Sequence, residues 1–236
     1  MNFSQIYISD QDSDLPPYLK GCQDVAKNLI SHNSYQLYDN ESLKAFIVKH
    51  FDAEVADAFD MLNPYSYKSD LGRFCLLFVL GGWYLDIAIK PLLKIEVPSN
   101  VDLLAFREIN RVAGASWGMC TGALYSRPNN PIFLMAIKMI VENCKNEYYG
   151  FNAICPTGPN LLGRAFAILD SVRNMMLGDV VFLTPGYQNP NKSMVLPSGD
   201  IFAHFKPSGG GDLVSLGSKG VNNYNDFYSS RTVYKK

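Results

Sequence analysis

Residues 67–86, YKSDLGRFCLLFVLGGWYLD, carry the pattern that decides the fold. Pro64 after Asn63 is typical of a helix start, with Asn63 as the N-cap and Pro64 in the first turn. The helix is expected to run to about Leu80, where the glycine pair at 81–82 ends it. The uninterrupted apolar run that follows is typical of a strand buried on both faces. The stretch therefore predicts a helix followed directly by a buried strand.

Three charged side chains accompany this helix and strand. Asp70 and Arg73 are three residues apart and share a helix face beside the apolar stripe. Asp86 ends the predicted strand, and ligands of open α/β sheets bind beyond the carboxyl ends of strands. Carboxylates and a guanidinium can hold sugar hydroxyls, and such an aspartate can hold Mg²⁺ or Mn²⁺ against a diphosphate. An intrahelical ion pair with a capping aspartate explains the same spacing equally well.

The rest of the chain predicts an α/β fold, because short β-type runs alternate with helical patterns. Strands are expected at 6–9, 35–38, 83–85, 101–106 and 122–125, and helices at 15–30, 41–50, 130–143 and 160–169.

The composition favours one globular domain. Of the 236 residues 47% are hydrophobic and 18% are charged, and a single core can form at this length. A glycine-rich joint near residue 208 separates a main body from an aromatic tail. We expect residues 1–206 to form the catalytic domain and residues 207–236 to form a C-terminal flap packed on it.

Charge and cysteine content limit the partners and the compartment. The formal net charge is -1 and no segment carries a basic stripe, so nucleic acid is not expected as a partner. The five cysteines are widely spaced without a Cys-x-x-Cys pair, which favours reduced thiols in a cytoplasm. The amino terminus lacks a signal pattern, and the longest apolar run, 74–85, is too short to span a bilayer. At most a peripheral membrane contact is expected.

A family resemblance rests on these same residues. The segments 67–74 and 81–86 together resemble the signature of glycosyltransferase family 32, whose sugar-binding region contains an Asp-x-Asp motif. Residues 14–18 and 35–39 lie where that family carries similar segments, and 156–159 resembles its later Thr-Gly-Pro turn. The resemblance implies a nucleotide-sugar-binding fold of the GT-A type and a retaining transfer of sugar.

The resemblance also implies roles for individual residues. Asp70 and Arg73 would hold hydroxyls of the donor sugar, and Asp86 would contact ribose or sugar and the metal region. These three are the candidate catalytic residues. The other donor-binding positions are Ile8, Ser9, Lys68, Thr157, Gly158, His204 and Lys206. His204 is equally well explained as a packed histidine on a short strand.

The motif departs from the family at Ala88, which stands where the second motif aspartate belongs. Losing one carboxylate ligand weakens a divalent-cation site, so a need for Mn²⁺ or Mg²⁺ stays open. Three interpretations are ranked in order: a metal held by Asp86, water and Asn222 or Asn223; a metal-free site; and a non-catalytic binder. The cations considered for the phosphates of a metal-free site are Lys90, His204, Lys206 and Lys219.

The implied function is transfer of a hexose from a nucleotide-diphosphate sugar, with a UDP-sugar favoured, to a glycan acceptor. Synthesis of capsule, O-antigen or lipopolysaccharide at the inner face of a bacterial membrane is the expected setting. The alternatives are a toxin-like effector that glycosylates a protein, and a nucleotide-sugar or carbohydrate-binding module without turnover. Trp117 is a candidate stacking platform for the acceptor, although a core position is the favoured interpretation for it.

Overall fold

The computed structural model describes residues 1–10, 14–169, 174–183, 192–207, 213–220 and 223–236. Within these ranges the strands are β1 (Asn2–Ile6), β2 (Ser34–Tyr38), β3 (Gly82–Leu85), β4 (Lys90–Pro91), β5 (Leu103–Arg107), β6 (Met119–Ser126), β7 (Met175–Phe182), β8 (Lys192–Val195) and β9 (Ile201–His204). The α-helices are α1 (Pro17–Leu29), α2 (Asn40–His50), α3 (Ala53–Met61), α4 (Tyr65–Leu80), α5 (Asn110–Ala113), α6 (Pro131–Lys145), α7 (Pro159–Ile168) and α8 (Tyr224–Ser229), and a 3₁₀ turn covers Val214–Leu216.

The strands form one mixed sheet in the order β2-β1-β3-β6-β5-β7-β8-β9-β4. Strand β1 runs parallel to β2 and β3, and β5 runs parallel to β7, whereas β6, β8 and β4 are antiparallel to their neighbours. The carboxyl ends of β1, β3, β5, β7 and β9 therefore meet the amino ends of β6, β8 and β4 at one side of the sheet. We call this side the carboxyl edge.

Helices and aromatic side chains cover the two faces of the sheet. Successive side chains of a strand point to opposite faces. In β3, Tyr84 joins a core cluster that includes residues of α2, α3, α4, α6 and α7. Its neighbours Trp83 and Leu85 join a second cluster, which includes Ala26 of α1. Burial on both faces explains why the 83–85 run has no polar residue, and the predicted α/β fold is confirmed.

The junction between α4 and β3 matches the prediction except at its start. Gly81 ends the helix with a φ of 60°, and Gly82 opens the strand with a φ of 85°. The expectation of an Asn63 N-cap with Pro64 in the first turn is wrong by one residue, since Pro64 itself is the cap position. The Asn63 side chain instead donates a 2.8 Å hydrogen bond to the carbonyl of Thr232, which anchors the C-terminal segment.

The first strand is also shifted from its predicted position. It covers Asn2–Ile6 instead of 6–9, because its pairing with β2 ends where Ile6 faces Tyr38. Tyr7 and Ile8 follow the strand end at the carboxyl edge. The other predicted helices and strands lie within three residues of their expected bounds, and β9 is the short strand considered as the alternative for His204, while α3, α5, α8, β4, β7 and β8 were not predicted.

The described part of the predicted flap contacts the main body of the chain. The backbone N–H of Asn63 donates to the carbonyl of Val233 at 2.8 Å, and Leu62 forms a β-bridge with Tyr234. Tyr224 stacks on Tyr67 with ring centroids 6.0 Å apart. Residues 208–212, which include the predicted glycine joint, and residues 221–222 lie outside the described ranges.

None of the helices in the described ranges combines the length and the apolar character that crossing a bilayer requires.

A glycine-to-alanine pair tests the α4–β3 junction. A Cβ on Gly82 would overlap the backbone of Asn2, whereas a Cβ on Gly199, whose φ is 92°, meets no atom within 4 Å. Gly199→Ala should cost about 1 to 2 kcal/mol from the left-handed backbone alone. Gly82→Ala should cost at least about 3 kcal/mol, because β1 must also move. Urea unfolding measures both, and equal losses would show that the close approach to β1 does not matter.

Candidate functional site

A cavity of about 470 Å³ opens at the carboxyl edge. Residues within two positions of the ends of these strands line it. They include Ile8 after β1, Asp86 after β3, Glu108 after β5, Thr121 at the start of β6, Lys192 at the start of β8 and Lys206 after β9. Asp70 and Arg73 of α4 form another part of the wall.

Arg73 joins the two predicted carboxylates in this cavity. Its Nη1 lies 2.9 Å from Oδ1 of Asp86, and its Nη2 lies 3.4 Å from Oδ1 of Asp70. The Arg73 and Asp70 side chains are only 5% and 9% exposed, whereas the Asp86 side chain is 40% exposed. The helix ion pair predicted as an alternative is therefore present. It lies in the cavity wall and includes the strand-end aspartate.

Backbone and neighbouring side chains fix the orientation of Arg73. Its Nη1 donates to the carbonyl of Thr121 at 2.7 Å, and its Nε donates to the carbonyl of Ser69 at 3.0 Å. The guanidinium carbon lies 4.7 Å from the ring centroid of Tyr84. Because a guanidinium offers five N–H donors in a fixed plane, these contacts set the plane in which it faces the two aspartates.

The two carboxylates are held by hydroxyl groups as well. Thr157 Oγ1 donates to Oδ2 of Asp70 at 2.8 Å, and the Tyr84 hydroxyl donates to Oδ1 of Asp86 at 2.8 Å. Two glycines let the backbone approach the carboxylates closely. A Cβ on Gly122 would lie 3.0 Å from Oδ2 of Asp86, and one on Gly158 would lie 3.4 Å from Oδ2 of Asp70.

Burial and charge shift the proton affinities of these groups in definite directions. Burial raises the pKa of Asp70, while Arg73 and the Thr157 hydroxyl oppose the rise. Burial by itself would lower the pKa of Arg73, but Asp86, Tyr84 and Asp70 reverse this and the net shift is upward. Arg73 therefore stays charged, and its charge keeps a buried carboxylate tolerable beside it.

The cavity contains a second ion pair, between Glu108 and Lys192, that the sequence analysis did not identify. Lys192 Nζ lies 3.1 Å from Oε1 of Glu108, and the two side chains are 13% and 5% exposed. Oε1 of Glu108 also accepts the backbone N–H of Ile109 at 3.0 Å. Glu108 follows the predicted strand at 101–106, as Asp86 follows its own strand, so the same signal was present for it.

Several residues expected to bind the donor lie at the cavity. Ile8, Gly158 and Lys206 line it, together with Asp70, Arg73 and Asp86. Thr157 acts through its hydrogen bond to Asp70. Ser66 of α4 also lines the cavity, and its buried hydroxyl has no hydrogen-bond partner among the described residues.

Other expected donor residues are not among those that line the cavity. Ser9 follows Ile8 but is not part of the lining. Lys68 points away, since its ammonium donates to the carbonyl of Phe59 and lies 4.2 Å from that residue's ring centroid. His204 pairs with Lys90 across β9 and β4, and its Nδ1 lies 2.7 Å from the Ser193 hydroxyl. This position fits the alternative of a packed histidine on a short strand.

The donor set for a divalent cation was tested on the described residues. No group of three or more His, Cys, Asp or Glu side chains among them could share a metal ion. Asn223 caps α8 by accepting from the N–H of Asn225 at 3.2 Å, and it donates to Asp226 at 2.7 Å. Ala88 is buried, and Asn222 lies outside the described ranges. The described residues therefore hold no ready-made cluster of protein ligands, and a metal bound by Asp86 and water stays a prediction.

Trp117 is exposed, which corrects the favoured interpretation of a core residue. Its relative exposure is 40%, and that of Phe151 is 59%. The two rings meet edge to face with centroids 6.1 Å apart. Phe151 precedes Ala153 and Ile154, which line the cavity. An exposed aromatic pair therefore lies beside the cavity.

Known proteins that resemble this chain are glycosyltransferases. An uncharacterised glycosyltransferase of Acanthamoeba polyphaga mimivirus is 24% identical over 186 residues, which cover 79% of this chain and 71% of the relative. The PaToxG glycosyltransferase structure aligns with a TM-score of 0.50 and 16% identity over 71% of this chain and 67% of its own. The ligand-free glycosyltransferase domain from the YGT toxin aligns with a TM-score of 0.50 and 10% identity over 75% and 79% of the two chains. No family model matches.

These similarities bear on the predictions at different levels. The two structural matches confirm the GT-A-like α/β fold. Similarity to the viral protein, together with the shared fold, supports the prediction of a glycosyltransferase and hence of an enzyme. Membership of family 32 is not confirmed by them.

Lys68→Met should leave donor binding unchanged and act on stability instead. Burial and the charge of Lys235 lower the pKa of Lys68 to about 8, against about 10.4 in an unfolded chain. Between these values the unfolded state holds the proton that the folded state has released, so stability rises with pH. Between pH 7.5 and 9.5 the free energy of unfolding of wild type should therefore rise by about 1 to 2 kcal/mol relative to that of the variant, as measured by urea unfolding.

Lys44→Met is the matched control for this experiment. Lys44 pairs with Asp60 at the surface, with Nζ 2.8 Å from Oδ2. The difference in free energy of unfolding between wild type and Lys44→Met should therefore not rise over this pH range. An increased KM for the sugar donor in Lys68→Met would contradict the placement of Lys68 outside the cavity.

Proposed function

We propose that this chain is a retaining glycosyltransferase that moves a hexose from a nucleotide-diphosphate sugar, with a UDP-sugar favoured, to a glycan acceptor. The observation that carries the proposal is the arrangement of Asp70, Arg73 and Asp86 in the wall of the cavity at the carboxyl edge. Carboxylates in fixed positions beside a fixed guanidinium suit the alternating acceptors and donors of a hexose. The resemblance to family 32 and the glycosyltransferase relatives support the same conclusion.

Each member of this arrangement has a role in holding the donor. The more exposed Asp86 accepts hydrogen bonds from sugar or ribose hydroxyls, and Arg73 fixes its orientation. Asp70 is held by Thr157 and lies deeper in the wall. Catalysis of this kind depends on positioning, because the donor sugar already carries a good leaving group.

The transfer breaks one bond and forms another at the same sugar carbon. The bond between C1 and the β-phosphate oxygen breaks, and its electron pair stays on that oxygen. The acceptor hydroxyl oxygen attacks C1 from the same face, so the anomeric configuration is retained. Its proton passes to the departing phosphate oxygen. No side chain serves as a nucleophile, and positive charge beside the leaving diphosphate lowers the barrier.

The acceptor side of the proposal rests on the exposed aromatic pair. Trp117 and Phe151 lie beside the cavity and present apolar surface to solvent. Aromatic faces pack on the C–H surfaces of sugar rings, which favours a glycan such as a growing capsule, O-antigen or lipopolysaccharide chain. All five cysteines are unpaired and buried, which favours a reducing cytoplasm as the location, with at most peripheral contact with the membrane.

Release of nucleotide from UDP- and GDP-hexoses tests the donor site. Asp86→Asn keeps the side-chain volume and removes the charge, and Arg73→Lys keeps a charge and removes the fork that joins two carboxylates. Each should lower turnover about 100-fold. The matched controls are Asp179→Asn and Arg107→Lys, an exposed pair outside the lining with Nε and Oδ1 2.7 Å apart. Turnover of these two control variants should stay within twofold of wild type.

Two results would overturn the proposal. Turnover that survives both cavity substitutions would show that this arrangement does not bind the donor. Saturable binding of donor without release of nucleotide, even with oligosaccharide or protein acceptors present, would show a binding module instead of an enzyme.

The aromatic pair gives a separate prediction for the acceptor. Trp117→Ala should raise the KM for an oligosaccharide acceptor about 3- to 10-fold, because a stacking surface is lost. Trp117→Phe retains a flat ring and should recover most of the affinity. Donor hydrolysis without acceptor should be equal in both variants and in wild type. A change in hydrolysis as large as the change in KM would place Trp117 in the donor site instead.

A further inference from the structure

The Lys192–Glu108 pair lies at the same cavity as the arrangement around Arg73. In the sheet order, β6 separates Asp86 after β3 from Glu108 after β5, and Lys192 begins β8 two strands further on. Adjacent strands are about 4.8 Å apart, so about twice that distance separates β3 from β5, and Asp86 and Glu108 line the same cavity after these two strands. Tyr224 also lines this cavity, where burial and then the charges of Asp70, Glu108 and Asp86 raise the pKa of its hydroxyl to about 12.

The Lys192 side chain is held firmly in this position. Its ammonium lies 4.4 Å from the ring centroid of Phe205 as well as 3.1 Å from Glu108. Its carbonyl accepts the backbone N–H of Phe205 at 3.0 Å. A buried ion pair contributes little net stability compared with apolar residues of similar volume. Stability alone therefore does not explain a lysine and a glutamate in the cavity wall.

The balance of charge in the cavity gives a reason for the Lys192–Glu108 pair. Among the described residues, the charged lining consists of three acids, Asp70, Asp86 and Glu108, and three cations, Arg73, Lys192 and Lys206. Arg73 is already committed to two carboxylates and two carbonyls. A diphosphate that entered would bring further negative charge, which needs a cation within hydrogen-bonding distance. Lys192 has three donors and gives one contact to Glu108.

Few side chains among the described residues offer themselves as ligands to a metal that could meet this need instead. No cluster of three potential His, Cys, Asp or Glu ligands occurs there. Oδ1 of Asp86 already accepts from Arg73 and from the Tyr84 hydroxyl. Ala88 offers no side-chain ligand atom beside it. The cationic side chains of the cavity are therefore the groups best placed to meet a diphosphate.

We infer that Lys192, held by Glu108, binds the β-phosphate of the leaving nucleoside diphosphate, so that transfer does not require a divalent cation. This inference rests on the proposed function. When the bond from C1 to the β-phosphate oxygen breaks, the electron pair stays on that oxygen. The Lys192 ammonium donates a hydrogen bond to the β-phosphate while its contact with Glu108 keeps it in position. Glu108 is a positioning residue in this scheme.

Binding of nucleotides in the presence of EDTA tests the inference directly. Calorimetry would compare UDP with UMP, and GDP with GMP, on wild type and on Lys192→Met. The variant should bind the diphosphate at least 10-fold more weakly and the monophosphate within twofold of wild type. Wild-type affinity for the diphosphate should change less than threefold when Mn²⁺ replaces EDTA. Lys145→Met breaks a lysine–glutamate contact outside the cavity and should bind as wild type does.

Two further variants separate charge from folding. Lys192→Met leaves Glu108 buried without its partner, so the double variant Glu108→Gln/Lys192→Met removes that cost. It should fold and should still bind the diphosphate at least 10-fold more weakly. Glu108→Gln alone keeps the lysine and removes a negative charge, and it should bind the diphosphate at least as tightly as wild type.

The outcomes distinguish this inference from the proposed function. Diphosphate affinity that is unchanged in both Lys192 variants, or that EDTA abolishes in wild type, overturns the role of Lys192 and leaves the transferase proposal intact. Failure of wild type to bind any nucleotide or to release one from any donor sugar overturns both.

Discussion

A guanidinium buried at the end of a sheet is the constraint on which this site depends. A charge in that position is tolerated only when it is paired and its N–H groups are satisfied. The partners of Arg73 come from different parts of the chain: Asp70 from its own helix, Asp86 after β3 and the Thr121 carbonyl in β6. Thr157, just before α7, then fixes Asp70. The contacts that make the buried charge acceptable are also the contacts that shape the cavity.

The part of the site that the sequence predicts is the part built from one continuous segment. Helix α4, the glycine pair and β3 follow one another, so spacing alone places Asp70, Arg73 and Asp86 near one another. Helix geometry also explains why Lys68 does not accompany them. Residues two apart on a helix do not share a face, and Lys68 accordingly reaches Phe59 on the core side. The resemblance assigned donor binding to Lys68 as well as to Asp70 and Arg73 and did not separate the faces of the helix.

The remaining residues come together through long-range pairing that periodicity does not reveal. Lys192 reaches the cavity because β8 pairs with β7, and β7 pairs with β5. Neither β7 nor β8 was predicted. Glu108 carried the same local signal as Asp86, an acid directly after a buried strand, but no second motif drew attention to it. For Trp117 the sequence indicated too much burial. A tryptophan between apolar segments is typical of a core, and nothing in the pattern indicates that this residue is 40% exposed.

The mixed direction of the sheet explains why the site residues that begin strands were not predicted. The rule that ligands bind at the carboxyl ends of strands was stated for parallel sheets, and it leads to Ile8, Asp86 and Glu108. In a mixed sheet the same edge also contains the first residues of the antiparallel strands. Thr121, whose carbonyl orients Arg73, and Lys192 occupy such positions. Residues at the start of an antiparallel strand can therefore belong to the same site as residues that follow a parallel strand. At this edge Asp86 and Glu108 follow strands and contribute two carboxylates, and Lys192 begins a strand and contributes positive charge.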